Sequence, residues 1–117
     1  MAIQRLTFYQ NNNQIVTVSG LQDQSTLPVV TYIDNAVLTG TLQDSSGNPQ
    51  VGATGIVGIY VASSNGVYTF SLAGSSFDPP VGYSYVFVID GTFAAGAKRF
   101  HCEIPSIVLV RNQGTEL

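Results

Sequence analysis

Three features of this 117-residue sequence point to an all-β sandwich. Apolar and polar side chains alternate with a period of two along short segments, as on half-buried strands. Gly, Pro, Asn and Asp punctuate those segments at short intervals. No window carries an apolar repeat at spacings of three and four for the three turns a helix needs. Without helices, the apolar face of one sheet has only another sheet to cover it.

The elements follow in order. Ile3 to Tyr9 reads as a short strand or an extended arm, with Thr7, Phe8 and Tyr9 favouring β structure. Asn11, Asn12 and Asn13 interrupt it, and Ile15 to Val18 resumes as a strand. The two segments form either a local hairpin across the asparagines or a mobile arm that orders on a partner. Gly20 to Leu27 is turn-like, and Pro28 opens an extended run to Ile33 that Asp34 and Asn35 bend. From Ala36 to Gln43 the alternation is clear, with Ala36, Leu38, Gly40 and Leu42 on one side and Val37, Thr39, Thr41 and Gln43 on the other. Asp44 to Pro49 is a strong turn signal.

Ile56 to Ala62 is the next strand. Asn65-Gly66 is the best hairpin signal, because both residue types accept the positive φ angles of a type I′ turn. Val67 to Leu72 returns with Tyr68, Phe70 and Leu72 on one face, and a one-residue slip would invert both faces. Asp78-Pro79-Pro80 excludes a helix or a central strand. Tyr83 to Asp90 is the longest strand, with Tyr83, Tyr85, Phe87 and Ile89 sharing a face and Asp90-Gly91 as a turn or bulge. The pattern loosens from Phe93 to Gly96. Phe100, Cys102 and Ile104 then oppose Arg99, His101 and Glu103. Pro105 breaks the strand or marks an edge, and Ile107 to Val110 is a last strand.

The expectation is an immunoglobulin-like or transthyretin-like β-sandwich of seven to nine short, mostly antiparallel strands. The sequence has no Trp and a single cysteine, so the immunoglobulin hallmarks are missing and the architecture is expected without a named topology. The expected organisation is an N-terminal arm or hairpin over residues 1–27 joined to the core, a sandwich core over 28–111 and a tail over 112–117. A chain of this size buries about two-thirds of the surface of its extended form, and Cys102 alone permits no internal disulfide.

Charge narrows the function. Arg5, Lys98, Arg99 and Arg111 face Asp23, Asp34, Asp44, Asp78, Asp90, Glu103 and Glu116, a net charge of −3. Charged residues make up 9% of the chain, against about 25% in an ordinary soluble domain. A surface of Ser, Thr, Asn, Gln and Gly repels its copies weakly, which favours association. Only Lys98 and Arg99 are adjacent cations, so nucleic acid is not an expected partner. No signal peptide and no membrane span are expected, since no long apolar segment occurs near the start and no stretch approaches 18 uncharged apolar residues.

The inventory for catalysis is thin. His101 is the sole histidine, and no Gly-x-Ser-x-Gly elbow exists. Its neighbour Cys102 points to the opposite face of a regular strand, so the two form neither a nucleophile–base pair nor a joint metal site. Cys102 reads as a structural core residue. His101 reads as solvated or in a modest cross-strand pair. Asp23, Asp34, Asp44, Asp78 and Asp90 stand at turns and read as turn caps. No D-x-D-x-D-G calcium loop is present, and the glycines of Gly52 to Gly58 lack the Lys-Ser/Thr of a phosphate loop. No catalytic, cofactor-binding or metal residue is expected. Tyr68, Tyr83 and Tyr85 read as core or core-edge, with interface anchoring and sugar stacking as alternatives for the six tyrosines.

Two resemblances arise mid-chain. LTGTLQDSSGNPQVGATG followed by SSNGVYTFSL resembles the opening of carboxypeptidase-regulatory or transthyretin-like modules. The pattern is a strand, a D-x-x-G-x-P turn, a Gly-Ala step and a second strand, matched by Asp44, Gly47, Pro49, Gly52, Ala53, Asn65, Gly66, Tyr68 and Phe70. Such modules often belong to secreted or surface proteins, and this sequence departs from them in its expected lack of a signal peptide or attached domain. A closer resemblance is to small tailed-bacteriophage structural proteins of the head-to-tail or tail region. It runs through Tyr32, Ile33, Asp34, Ala36, Leu38, Leu42, Asp44, Gly47, Pro49, Ser64, Gly66, Tyr68, Tyr85 and Ile89, within residues 30–92. It implies a non-enzymatic virion subunit, made in the host cytoplasm, that contacts its own copies and other virion proteins. The alternative expectation is a carbohydrate- or surface-binding module, with a glycan as partner.

Overall fold

The computed structural model describes residues 5–23, 28–29, 31–93 and 96–110. The expected tail over 112–117, the start of the first strand at Ile3 and residues 24–27 of the polar turn lie outside them. Seven strands are described: β1 (Leu6–Tyr9), β2 (Gln14–Val18), β3 (Val37–Gln43), β4 (Ile56–Tyr60), β5 (Tyr68–Leu72), β6 (Gly82–Phe93) and β7 (Lys98–Leu109). A 3-10 turn, Gly74–Ser76, follows β5.

Their hydrogen-bonded order is β1-β7-β6-β3-β4-β5-β2. All neighbours are antiparallel except β1, which runs parallel to β7. The order folds over at β4, whose first residues pair β3 (Thr39↔Val57) and whose last pair β5 (Tyr60↔Tyr68). One layer is therefore β1-β7-β6-β3 and the other β4-β5-β2. The β3-β6-β7 and β2-β5 groupings are those of an immunoglobulin-like or transthyretin-like sandwich.

The core forms because the alternation of each strand puts its large residues inside. Leu38, Leu42, Tyr68, Phe70, Leu72, Phe87 and Ile89 are all buried. Aromatic rings join the layers, with Phe70 set edge-on to Phe87 at 5.6 Å and Phe8 at 5.7 Å from Phe87. Gly58 stands where β4 changes partner. A Cβ there would lie 2.8 Å from the Phe70 ring and 3.3 Å from Leu38, so the crossing needs glycine.

β1 and β2 join opposite layers instead of forming a hairpin ladder. The asparagine turn between them is pinned from three sides. Asn13 Oδ1 accepts the Gly74 amide at 2.7 Å, the Asn11 amide donates to the Phe77 carbonyl at 2.7 Å, and Gln10 Nε2 donates to the Pro79 carbonyl at 2.5 Å. The proline loop is tied to the same turn, with buried Phe77 beneath it and Tyr85 Oη donating to the Pro80 carbonyl at 2.5 Å.

Three local expectations are corrected, and one pair of alternatives is decided. Tyr83 is exposed, because a register irregularity between Gly82 and Tyr85 breaks the alternation there. Asp90-Gly91 is no turn, since β6 continues to Phe93. Of the two roles expected for Pro105 it takes the second: it does not break β7 but lies on an edge segment, since among the described residues β1 begins beside Ser106, and a missing N–H is tolerated there. The β4–β5 hairpin has positive φ at Ser63 and Gly66 and none at Asn65. A wider loop replaces the type I′ turn, its Asn65 and Gly66 carbonyls accepting the amides of Gly20 and Leu21.

Candidate interaction surface

Among the described residues, the sole histidine gathers two carboxylates around it. Asp90 stands opposite His101 in the β6–β7 register, and His101 Nδ1 lies 2.5 Å from Asp90 Oδ1. His101 Nε2 lies 3.0 Å from Glu103 Oε2, two residues along the same face. The Asp90 bond and then the Glu103 bond raise the imidazole pKa above its ordinary 6.5. The protonated ring donates both bonds. Each nitrogen is thereby occupied, and all three side chains are more than half exposed. No nucleophile joins the cluster. Cys102 turns to the other face and packs against the core, where burial, followed by the Glu103 charge, pushes its thiol pKa up.

The expected turn aspartates divide. Asp44 caps its turn, Oδ1 accepting the amides of Ser46 at 2.9 Å and Asn48 at 3.0 Å. The Asn48 amide is the main reason its carboxyl lies below the ordinary 3.8. Asp78 accepts the Asn11 carboxamide at 3.4 Å. Asp23 does different work. It is buried and accepts Lys98 Nζ at 2.7 Å, joining the segment after β2 to the start of β7. Among the described residues no group of three or more His, Cys, Asp or Glu side chains could hold a metal ion, and no helix is long and apolar enough to cross a membrane.

The larger feature is a charge-free outer surface around the β3–β4–β5 corner. Val37, Val57 and Ile59 are 70%, 59% and 60% exposed, and Ile15 on β2 is 64% exposed. The register sets these among small polar neighbours: Val57 beside Thr39, Ile59 beside Thr69, Thr69 beside Thr17 and Ser71 beside Ile15. No described residue of this surface is ionisable. Past β3 the character changes, with Asp90, Arg99, His101 and Glu103 all exposed on β6 and β7. β-branched apolar groups stand open to water here, next to a face that carries the strands' charge.

Sequence reasoning anticipated a neutral surface and missed where its apolar part lies. In β4 both faces carry large apolar residues, Ile56 and Tyr60 inside, Val57 and Ile59 outside. Of the tyrosines, Tyr32 and Tyr83 are the exposed rings among the described residues, and neither stacks on another ring there. Comparison with known proteins found no matching family model, no matching curated protein and no matching solved structure.

Proposed function

We propose that this chain is a non-enzymatic structural protein of a phage virion, acting through contacts with its own copies and with neighbouring virion proteins. The observation that carries the contact role is the charge-free outer surface of Val37, Val57, Ile59 and Ile15 on a rigid sandwich. Such a surface gains by leaving water, at about 25 cal/mol per Å² of apolar area covered, and repels its like only weakly. Repetition by symmetry turns modest contacts into a stable assembly. The virion assignment rests on the resemblance of residues 30–92 to small phage head-to-tail and tail proteins.

The experiment is size-exclusion chromatography with light scattering, together with a pull-down of virion proteins. The expected result is a defined oligomer or capture of a virion protein. A strict monomer at high concentration that binds none of them would sink the reading.

A further inference from the structure

β2 ends its layer. It pairs β5 through five consecutive residues, from Gln14↔Leu72 to Val18↔Tyr68, and no described strand lies beyond its other edge. An open edge offers unpaired N–H and C=O groups to another strand, and proteins blunt such edges with charge or proline. This chain blunts the other long one. Among the described residues, β1 pairs with β7 from Ser106 onward. The stretch of β7 before it carries Lys98, Arg99, His101 and Glu103 and finishes at Pro105. The β2 edge, Gln14-Ile15-Val16-Thr17-Val18, has no charge and no proline.

Among the described residues the surroundings of β2 are open as well. β1 and β2 diverge from the asparagine turn as a wedge, closed at its narrow end by Gln14. The Gln14 carboxamide accepts the Tyr9 amide at 3.0 Å and donates to the Tyr9 carbonyl at 2.9 Å. Two surface depressions of about 280 and 650 Å³ flank the strand and share Asn13, Gln14 and Ile15.

We infer that two copies of this chain join by antiparallel pairing of β2 with β2 about a twofold axis at Val16, so that the β4-β5-β2 layer continues across the dimer. This deepens the assembly reading and rests on it. The occupant is a second copy because the edge is complementary to itself, as a twofold interface requires. Full overlap of the five residues fixes the centre at Val16. Ile15 then lies opposite Thr17 of the second copy, Gln14 opposite Val18, and no charge opposes another. The outer surface of Ile15 and Thr17 becomes continuous between the copies, and the charged edge of β7 takes no part.

The register makes the test specific. Ile15 and Thr17 both point outward, and on β5 they neighbour Ser71 and Thr69, so longer side chains fit without disturbing the core. I15K/T17K sets lysine opposite lysine at both cross-copy positions, whereas I15K/T17E sets lysine opposite glutamate. Sedimentation velocity over a concentration series should show dimers for the wild type and I15K/T17E, with dissociation at least tenfold weaker in affinity for I15K/T17K. Circular dichroism should show the same fold for all three. If a variant fails to fold, hydrogen exchange on the wild type decides, with β2 amides expected to gain protection as concentration rises. Equal dimerisation of the two variants, or β2 amides indifferent to concentration, would overturn the pairing. A monomeric wild type that still captures virion proteins would overturn the β2 inference and leave the assembly reading standing. A monomer that captures none would overturn both.

Discussion

The ring of Phe70 meets the ring of Phe87 edge-on, centroids 5.6 Å apart and planes at 80°, and this contact locks the two layers together. Such pairs add about 0.5–1.5 kcal/mol beyond the area they bury. Space for them comes from glycine. Gly40 lies against Phe87 and Gly58 against Phe70, each with no side chain to keep the ring away.

Gly40→Ala should therefore destabilise the fold, because its methyl group collides with the Phe87 ring and comes within 3.2 Å of Phe70. Overpacking of this kind costs about 1–3 kcal/mol. Urea denaturation of wild type and variant measures it, and unchanged stability would show that the rings move aside freely.

Tyr68 ties the chain before β3 to the core. Its buried hydroxyl donates to the Ile33 carbonyl at 2.9 Å and accepts the Ala36 amide at 3.1 Å. Tyr68→Phe leaves both backbone groups without that partner, a loss of about 1–3 kcal/mol. Equilibrium unfolding should show the loss, and hydrogen exchange should report a less protected Ala36 amide.

His101 makes stability depend on pH in a defined direction. Asp90 first and Glu103 second raise its folded pKa above 6.5. The folded state then binds the proton more tightly than the unfolded chain. The contribution is complete below about pH 6.5 and is lost as pH rises through the raised folded value. The groups are exposed, so salt should weaken the effect. A thermal melting series over that window should fall more steeply for the wild type than for His101→Gln. Parallel curves would count against the pairing.

Cys102 should react slowly with a thiol reagent near neutral pH, since burial and Glu103 both hold its thiol protonated. Unfolding in urea should release a fast reaction of one thiol per chain.

Much of the sandwich was legible because β3, β5 and the first half of β7 keep a strict period of two. The errors fall where a tertiary contact overrides a local signal. Asp90-Gly91 has turn composition, yet Gly91 continues β6 between Leu38 and Phe100, and it is glycine because a Cβ there would run into the Val37 carbonyl and Leu38. Tyr83 kept the alternation on paper, and a bulge turned it outward. Pro105 left a break and an edge both open, and the choice of the edge depends on where β1 begins, which only the register reveals. The uncharged outer surface was foreshadowed by the shortage of charge. Its location was not, since Val57 and Ile59 look like any buried strand until β4 is seen to serve both layers.

The most direct measurement compares assembly of the wild type with V57K/I59K. Both residues point outward, so the substitutions should change stability by no more than about 0.5 kcal/mol. Light scattering and virion-protein capture should show assembly or binding in the wild type and its loss in the variant. Assembly and capture undiminished by two lysines at that corner would contradict the role given to this surface.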